Sequence, residues 1–171
     1  SDTFHKDIPD NEIEEMFNIM KVYSQHTYIV LTKRIERAVK FFETRQVPDN
    51  VWIGTSIESE KYSWRADELI KIKAKVHFIS YEPLIGYVIS GISRDIEWVI
   101  VGGESGSHAR EMKEVYVDNI FNECQAKGIA FFFKQWGKGL SKCKCHNAFG
   151  CRLYRGSTWD ELPLPKVITN A

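Results

Sequence analysis

The chain has 171 residues, 43 % of them hydrophobic and 13 % aromatic, enough apolar side chain for one packed domain and too much for a disordered segment. Lys plus Arg and Asp plus Glu both number 23, so the net charge is zero. That balance argues against a domain that binds nucleic acid through its overall charge, while leaving room for a local basic patch. There is no run of about 18 apolar residues to span a membrane and no basic-then-apolar leader. With four cysteines and no export signal, the expectation is a reducing cytoplasm with free or metal-bound thiols.

In chain order, the first predicted element is a helix over 10–24, "DNEIEEMFNIMKVYS". Pro9 and Asp10 are its start signal, and Ile13, Met16, Phe17, Ile19 and Met20 recur at helical spacing. "HTYIVLTK" (26–33) is the first strand, followed by a helix over 34–45. "VWIGTSIE" (51–58) is the second strand, followed by a helix over 63–74. "KVHFISYE" (75–82) is the third, and "PLIGYVISGISRD" (83–95) after it reads as a loop. "WVIVGGE" (98–104) is the fourth strand. A helix over 115–128 follows, with Val115, Ile120, Phe121 and Cys124 on one side and Gly128 as its C-cap. "IAFFFKQW" (129–136) is the fifth strand. The strands are rich in β-branched and aromatic residues, and several are almost continuously apolar, as strands buried on both faces are. Alternation of this kind predicts an α/β fold: a parallel sheet of about five strands with helices outside, joined by right-handed crossovers. The barrel part is placed at 1–137, and 138–171 is an irregular C-terminal appendage packed on it.

In parallel α/β folds ligands sit at the carboxyl ends of the strands. Those ends here carry Lys33, Glu58, Glu82, Glu104 and Lys134. Stepping back by twos along the same face meets Ser56 and Gly54 beneath Glu58, Ser80 beneath Glu82, and Gly102 beneath Glu104. The opposite face carries Ile53, Ile79, Val99, Val101, Phe131 and Phe133, suited to packing under helices. The pattern predicts a cavity with a floor of small side chains, ringed by three carboxylates and two ammonium groups. In it, Gly102 leaves room and Gly103 turns the chain with positive φ so that Glu104 faces the mouth. Pro83 holds Glu82 extended and ends its strand. His108 and Arg110 follow the glycine turn within reach of a ligand, whereas His26 and His77 lie inside strands as structural residues. No nucleophile triad, P-loop or dinucleotide fingerprint is present.

"KCKCHNAFGC" sets Cys143, Cys145, His146 and Cys151 close together. Three thiols and an imidazole suffice for tetrahedral zinc, although this spacing is not a standard zinc-finger pattern. Cys124 falls on an apolar helix face as a core residue.

Seven segments, "SDTFHKDIP", "HTYIVLTKR", "NVWIGTSIES", "FISYEPLIG", "WVIVGGESGSHAREM", "FFFKQWG" and "GSTWDELP", resemble in this order a phage-associated family labelled by phage genes 37 and 68. That family is of unknown function and looks like a divergent radical S-adenosylmethionine (radical SAM) barrel. The resemblance implies a partial (β/α)6 barrel in which the five strands are the later ones. It also implies an upstream cysteine triplet holding a [4Fe–4S] cluster, and none of the four cysteines here matches that triplet. The expectation is therefore a truncated or degenerate member. It would retain a SAM- or nucleotide-like pocket around Lys33, Ser56, Glu58, Ser80, Glu82, Gly102, Gly103, Glu104 and Lys134. Carboxylates there would bind amino or ribose groups, and a lysine an anionic part. An open sheet edge would favour self-association.

Two other readings stand beside it. One is a non-catalytic module for nucleic acid or protein, using Lys134, Trp136, Lys138, Lys142, Lys144, Arg152 and Arg155. The other is a metal-dependent hydrolase built on converging carboxylates.

Overall fold

The structure is a computed structural model that describes residues 2–89, 91–137 and 151–163. Its elements run α1 (Asp10–Val22), β1 (Tyr28–Thr32), α2 (Ile35–Phe42), β2 (Val51–Ser56), a 3-10 turn (Glu60–Tyr62), α3 (Trp64–Leu69), β3 (His77–Tyr81), β4 (Trp98–Gly102), α4 (Glu114–Lys127) and β5 (Ala130–Gln135). All five strands pair in parallel in the order β1-β2-β3-β4-β5. Strand order that follows chain order is the winding of a barrel rather than of a two-sided sheet, since crossovers between parallel strands are as a rule right-handed.

The predicted strands all form, each ending one or two residues early, and β2 and β4 begin where expected. The described residues of 83–95 contain no helix or strand, in keeping with the expected loop. Two helices are shorter than predicted, because the chain must leave the helix to reach the next strand. α2 stops at Phe42, ahead of the turn containing Pro48, and α3 stops at Leu69. Gly128 closes α4 in the left-handed conformation, φ 68°.

The helix-facing side of the sheet is a dry core. Ile53, Ile79, Val99, Val101, Phe131 and Phe133 are all fully buried there. α4 seals it with Val117, Ile120, Phe121 and Cys124, a spacing of three, four and seven residues. Val115, assigned to that face from the sequence, is instead 53 % exposed, because the buried stripe begins a half-turn later at Val117. On α1 only Ile13 and Phe17 are buried and Ile19 faces solvent, since α1 packs on one neighbour, the ring cluster of Phe4, Phe41 and Phe42. Burial holds the Cys124 thiol up at about 12, so it is a core group rather than a nucleophile.

The two sheet edges differ. Residues 157–161 run along β5, with Phe133 N–H donating to Trp159 O at 2.8 Å and an antiparallel bridge between Phe132 and Asp160. This strap is held by a tight turn with Arg155 and Gly156 at positive φ, and by buried Tyr154. The Tyr154 hydroxyl donates to Asp118 of α4 at 2.5 Å, and Arg155 pairs with the same carboxylate at 2.8 Å. Tyr154→Phe should cost about 1.5 kcal/mol, the usual worth of a hydrogen bond to a charged group, read as a lower urea midpoint at unchanged slope. A loss below a few tenths of a kcal/mol would show that Arg155 and ring packing hold the strap alone. At the other edge, Ile29 and Leu31 of β1 are 52 % and 38 % exposed.

Candidate functional site at the strand carboxyl ends

The charged residues at the carboxyl ends of the five strands are engaged in ion pairs. Glu58, after β2, sits between two cations: Lys33 after β1, and Arg65 of α3 at 3.1 Å. Arg65 also donates to Ser56 O at 2.7 Å, and its guanidinium lies 4.4 Å over the Tyr62 ring. Glu82, after β3, accepts from Ser80 Oγ at 3.0 Å and pairs with Lys134 of β5 at 3.1 Å. Glu104 accepts a two-pronged contact from Arg110 at 2.7 and 2.8 Å, and the Arg110 backbone N–H adds a third bond at 2.9 Å. Those bonds from Arg110 hold the Glu104 carboxyl down at about 2, so it is ionised at every physiological pH.

Local geometry explains how each group arrives. On β5, Phe133 pairs with Val101 while Gln135 pairs with Gly102, which leaves Lys134 as the extra residue of a bulge. A bulge re-aims a side chain next to a site, and here it carries Lys134 to Glu82. Gly102 leaves room for that carboxylate where it stands: a Cβ on it would lie 2.5 Å from Glu82 Oε1. Backbone bonds from Leu84 N–H to Gly102 O and from Ile85 N–H to Glu58 O tie the loop after β3 across the strand ends. The Glu82–Pro83 peptide bond is cis.

Three expectations change in detail. Gly103 does not have positive φ, which among the described glycines belongs to Gly106, Gly128, Gly137 and Gly156. Its role is close approach: a Cβ there would lie 2.0 Å from Trp136 O, because Gly103 N–H bonds Gln135 O at 2.9 Å and draws the two chains together. The floor below the charges is not uniformly small either. Gly54 is aligned with Phe78 and Trp98, and the Phe78 ring occupies the place of its missing side chain, 2.4 Å from a built Cβ. Trp52, Phe78, Trp98 and Phe132 form an aromatic layer there, with ring centroids 5.6 to 6.1 Å from that of Trp98. Finally, each carboxylate has its own cation instead of converging on another carboxylate. Among the described residues no three His, Cys, Asp or Glu side chains gather as an ion-binding group.

Arg65 is the site residue that the sequence did not point to, since it is one cation among several on a short helix. Of the sulfur cluster, Cys143, Cys145 and His146 lie outside the described residues, as do Lys138, Lys142 and Lys144 of the basic segment. Cys151 is buried and disulfide-bonded. The described arginines of that segment, Arg152 and Arg155, pair with Asp160 and Asp118. His26 and His108 are exposed, and His77 is buried with Nε2 2.7 Å from Ile72 O, a structural contact. Two cavities of about 490 and 480 Å³ open at the other end of the sheet and share Glu97. The Glu97 carboxylate there accepts the His77 backbone N–H at 2.6 Å, a bond that anchors the start of β3.

Fold and site together define an α/β protein with a barrel-like parallel sheet and a charged cluster at its strand carboxyl ends. A family model described as "Protein of unknown function (DUF5131)" matches residues 1–163, and the chain belongs to that family. No curated protein and no solved structure matches the chain.

Proposed function

We propose that this protein binds a small molecule of S-adenosylmethionine or nucleotide type at the strand carboxyl ends, in the manner of the radical SAM barrels that its sequence resembles. The carrying observation is that a charged residue at or just beyond the carboxyl end of each of the five parallel strands, Lys33, Glu58, Glu82, Glu104 and Lys134, is held at the same end of one sheet. A fixed array of opposite charges, backed by Ser80 and by a glycine that admits the Glu82 carboxylate, is costly to desolvate and orient for structure alone. S-adenosylmethionine would supply an ammonium and ribose hydroxyls for Glu82 and Glu58, and a carboxylate for Lys134 or Lys33.

Radical cleavage of that molecule needs a cysteine-held cluster. Among the described cysteines, Cys124 lies in the helix core and Cys151 is disulfide-bonded, so they do not fit one. The reading is accordingly one of binding, and no radical step is derived. Titration calorimetry with S-adenosylmethionine and with ADP tests it. Saturable binding of either is the expected result, with S-adenosylmethionine binding lost in Glu82→Gln. No heat from both at millimolar concentration overturns it.

A further inference from the structure

Arg65 apart, the charged side chains at the strand ends differ in exposure by sign. The three carboxylate side chains are the inner layer: Glu58 is 10 % exposed, Glu82 22 % and Glu104 26 %. Their cations stand outside them: Lys33 is 52 % exposed, Lys134 57 % and Arg110 58 %. Arg65, 11 % exposed, adds a fourth cation beneath, against three carboxylates. A molecule arriving from solvent therefore meets ammonium and guanidinium groups first, and the carboxylates act as their counterions.

We propose that the strand-end site takes a phosphorylated small molecule bearing at least two negative charges, held by the exposed cations Lys33, Arg110 and Lys134. This rests on the reading that the strand ends bind a ligand, and it narrows the class. S-adenosylmethionine carries a net positive charge and would meet the cationic layer with the wrong sign. A single carboxylate has two oxygens, too few for cations standing on three separate segments, whereas a diphosphate spreads more oxygens over a longer span. Arginine's planar fork suits phosphate as well as carboxylate, so Arg110 can exchange Glu104 for a phosphate without changing its geometry. Glu104 is then a placeholder for the ligand's anion, as Glu82 is at Lys134, which the β5 bulge carries to it.

Titration calorimetry on the full chain, with ADP, adenosine, inorganic pyrophosphate and S-adenosylmethionine, separates the possibilities. ADP should bind at least 10-fold more tightly than adenosine, and pyrophosphate should compete with it. ADP affinity should fall as salt is raised. Arg110→Gln and Lys134→Gln should each weaken ADP at least 10-fold, with melting temperatures unchanged because both side chains are more than half exposed. Glu104→Gln should act in the opposite direction and tighten ADP, since it removes the competitor for Arg110. A purely structural Glu104 would not produce that sign. Tight S-adenosylmethionine or adenosine binding that is indifferent to these substitutions and to salt would overturn this inference and leave the binding reading intact. No binding of any of the four overturns both.

Discussion

Gly103→Ala should destabilise the protein by roughly 3 kcal/mol, the upper range for overpacking a tight site. A Cβ on Gly103 would lie 2.0 Å from Trp136 O and 2.6 Å from Trp136 C. Those are backbone atoms, so no side-chain rotation relieves the contact. The neighbouring chain cannot retreat easily either. Trp136 N–H bonds Cys151 O at 3.1 Å, the Trp136 indole donates to Leu153 O at 2.8 Å, and its ring lies 4.9 Å from that of Phe133. Gly137, at φ 76° and with a built Cβ 2.4 Å from Glu104 O, is locked against the same turn from the other side. Urea unfolding of the variant, followed by tryptophan fluorescence, gives the cost directly. A loss under 1 kcal/mol would mean that the β4–β5 ends separate freely and that the double glycine has no packing role. Gly102→Ala is the contrasting case. Its clash is with the free end of the Glu82 side chain, which can swing away. The effect there should fall on ligand binding more than on stability.

The second large effect is Glu58→Gln. Glu58 and Arg65 are 10 % and 11 % exposed, so this is a buried ion pair, unlike the other pairs of the site. Neutralising one member of a buried pair leaves the other charge without a counterion, at a typical cost of about 3 kcal/mol or more. Arg65 has little means of escape: it is stacked on Tyr62, bonded to Ser56 O, and its Nε is already buried without a partner. Lys33→Met should cost far less, under about 1 kcal/mol, because that ammonium is half exposed and its pair is largely screened. Comparing the urea midpoints of the two variants decides the point. Equal losses would place the weight on Lys33 and remove the buried-pair argument.

Residues 51–58 show how far the sequence reading reaches and where it stops. Alternation along "VWIGTSIE" correctly separated Ile53, which packs under helices, from Gly54 and Ser56 on the other face. It could not show that the Phe78 ring fills the space over Gly54, because that depends on which residue of β3 stands beside Gly54. Residues 129–136 repeat the lesson. Phe131 and Phe133 were legible as core, but the bulge at Lys134 is a property of the pairing with β4, and it is what delivers the ammonium to Glu82. Arg65 was missed for the same reason: its partner Glu58 belongs to a different element, and no local period links them.

The sequence by itself determined the order and type of the elements, the parallel sheet, the buried face of each strand and the end at which the charged residues gather. Those properties follow from periods of 2 and 3.6 residues and from turn residues, which act over a few positions of chain. Only the tertiary structure decided which charge meets which, that the carboxylates are less exposed than Lys33, Lys134 and Arg110, and that Gly103 answers to the Trp136 backbone instead of to its own φ. These are contacts between segments tens of residues apart, set by strand register and by one extra residue in β5, and neither leaves a local mark in the chain.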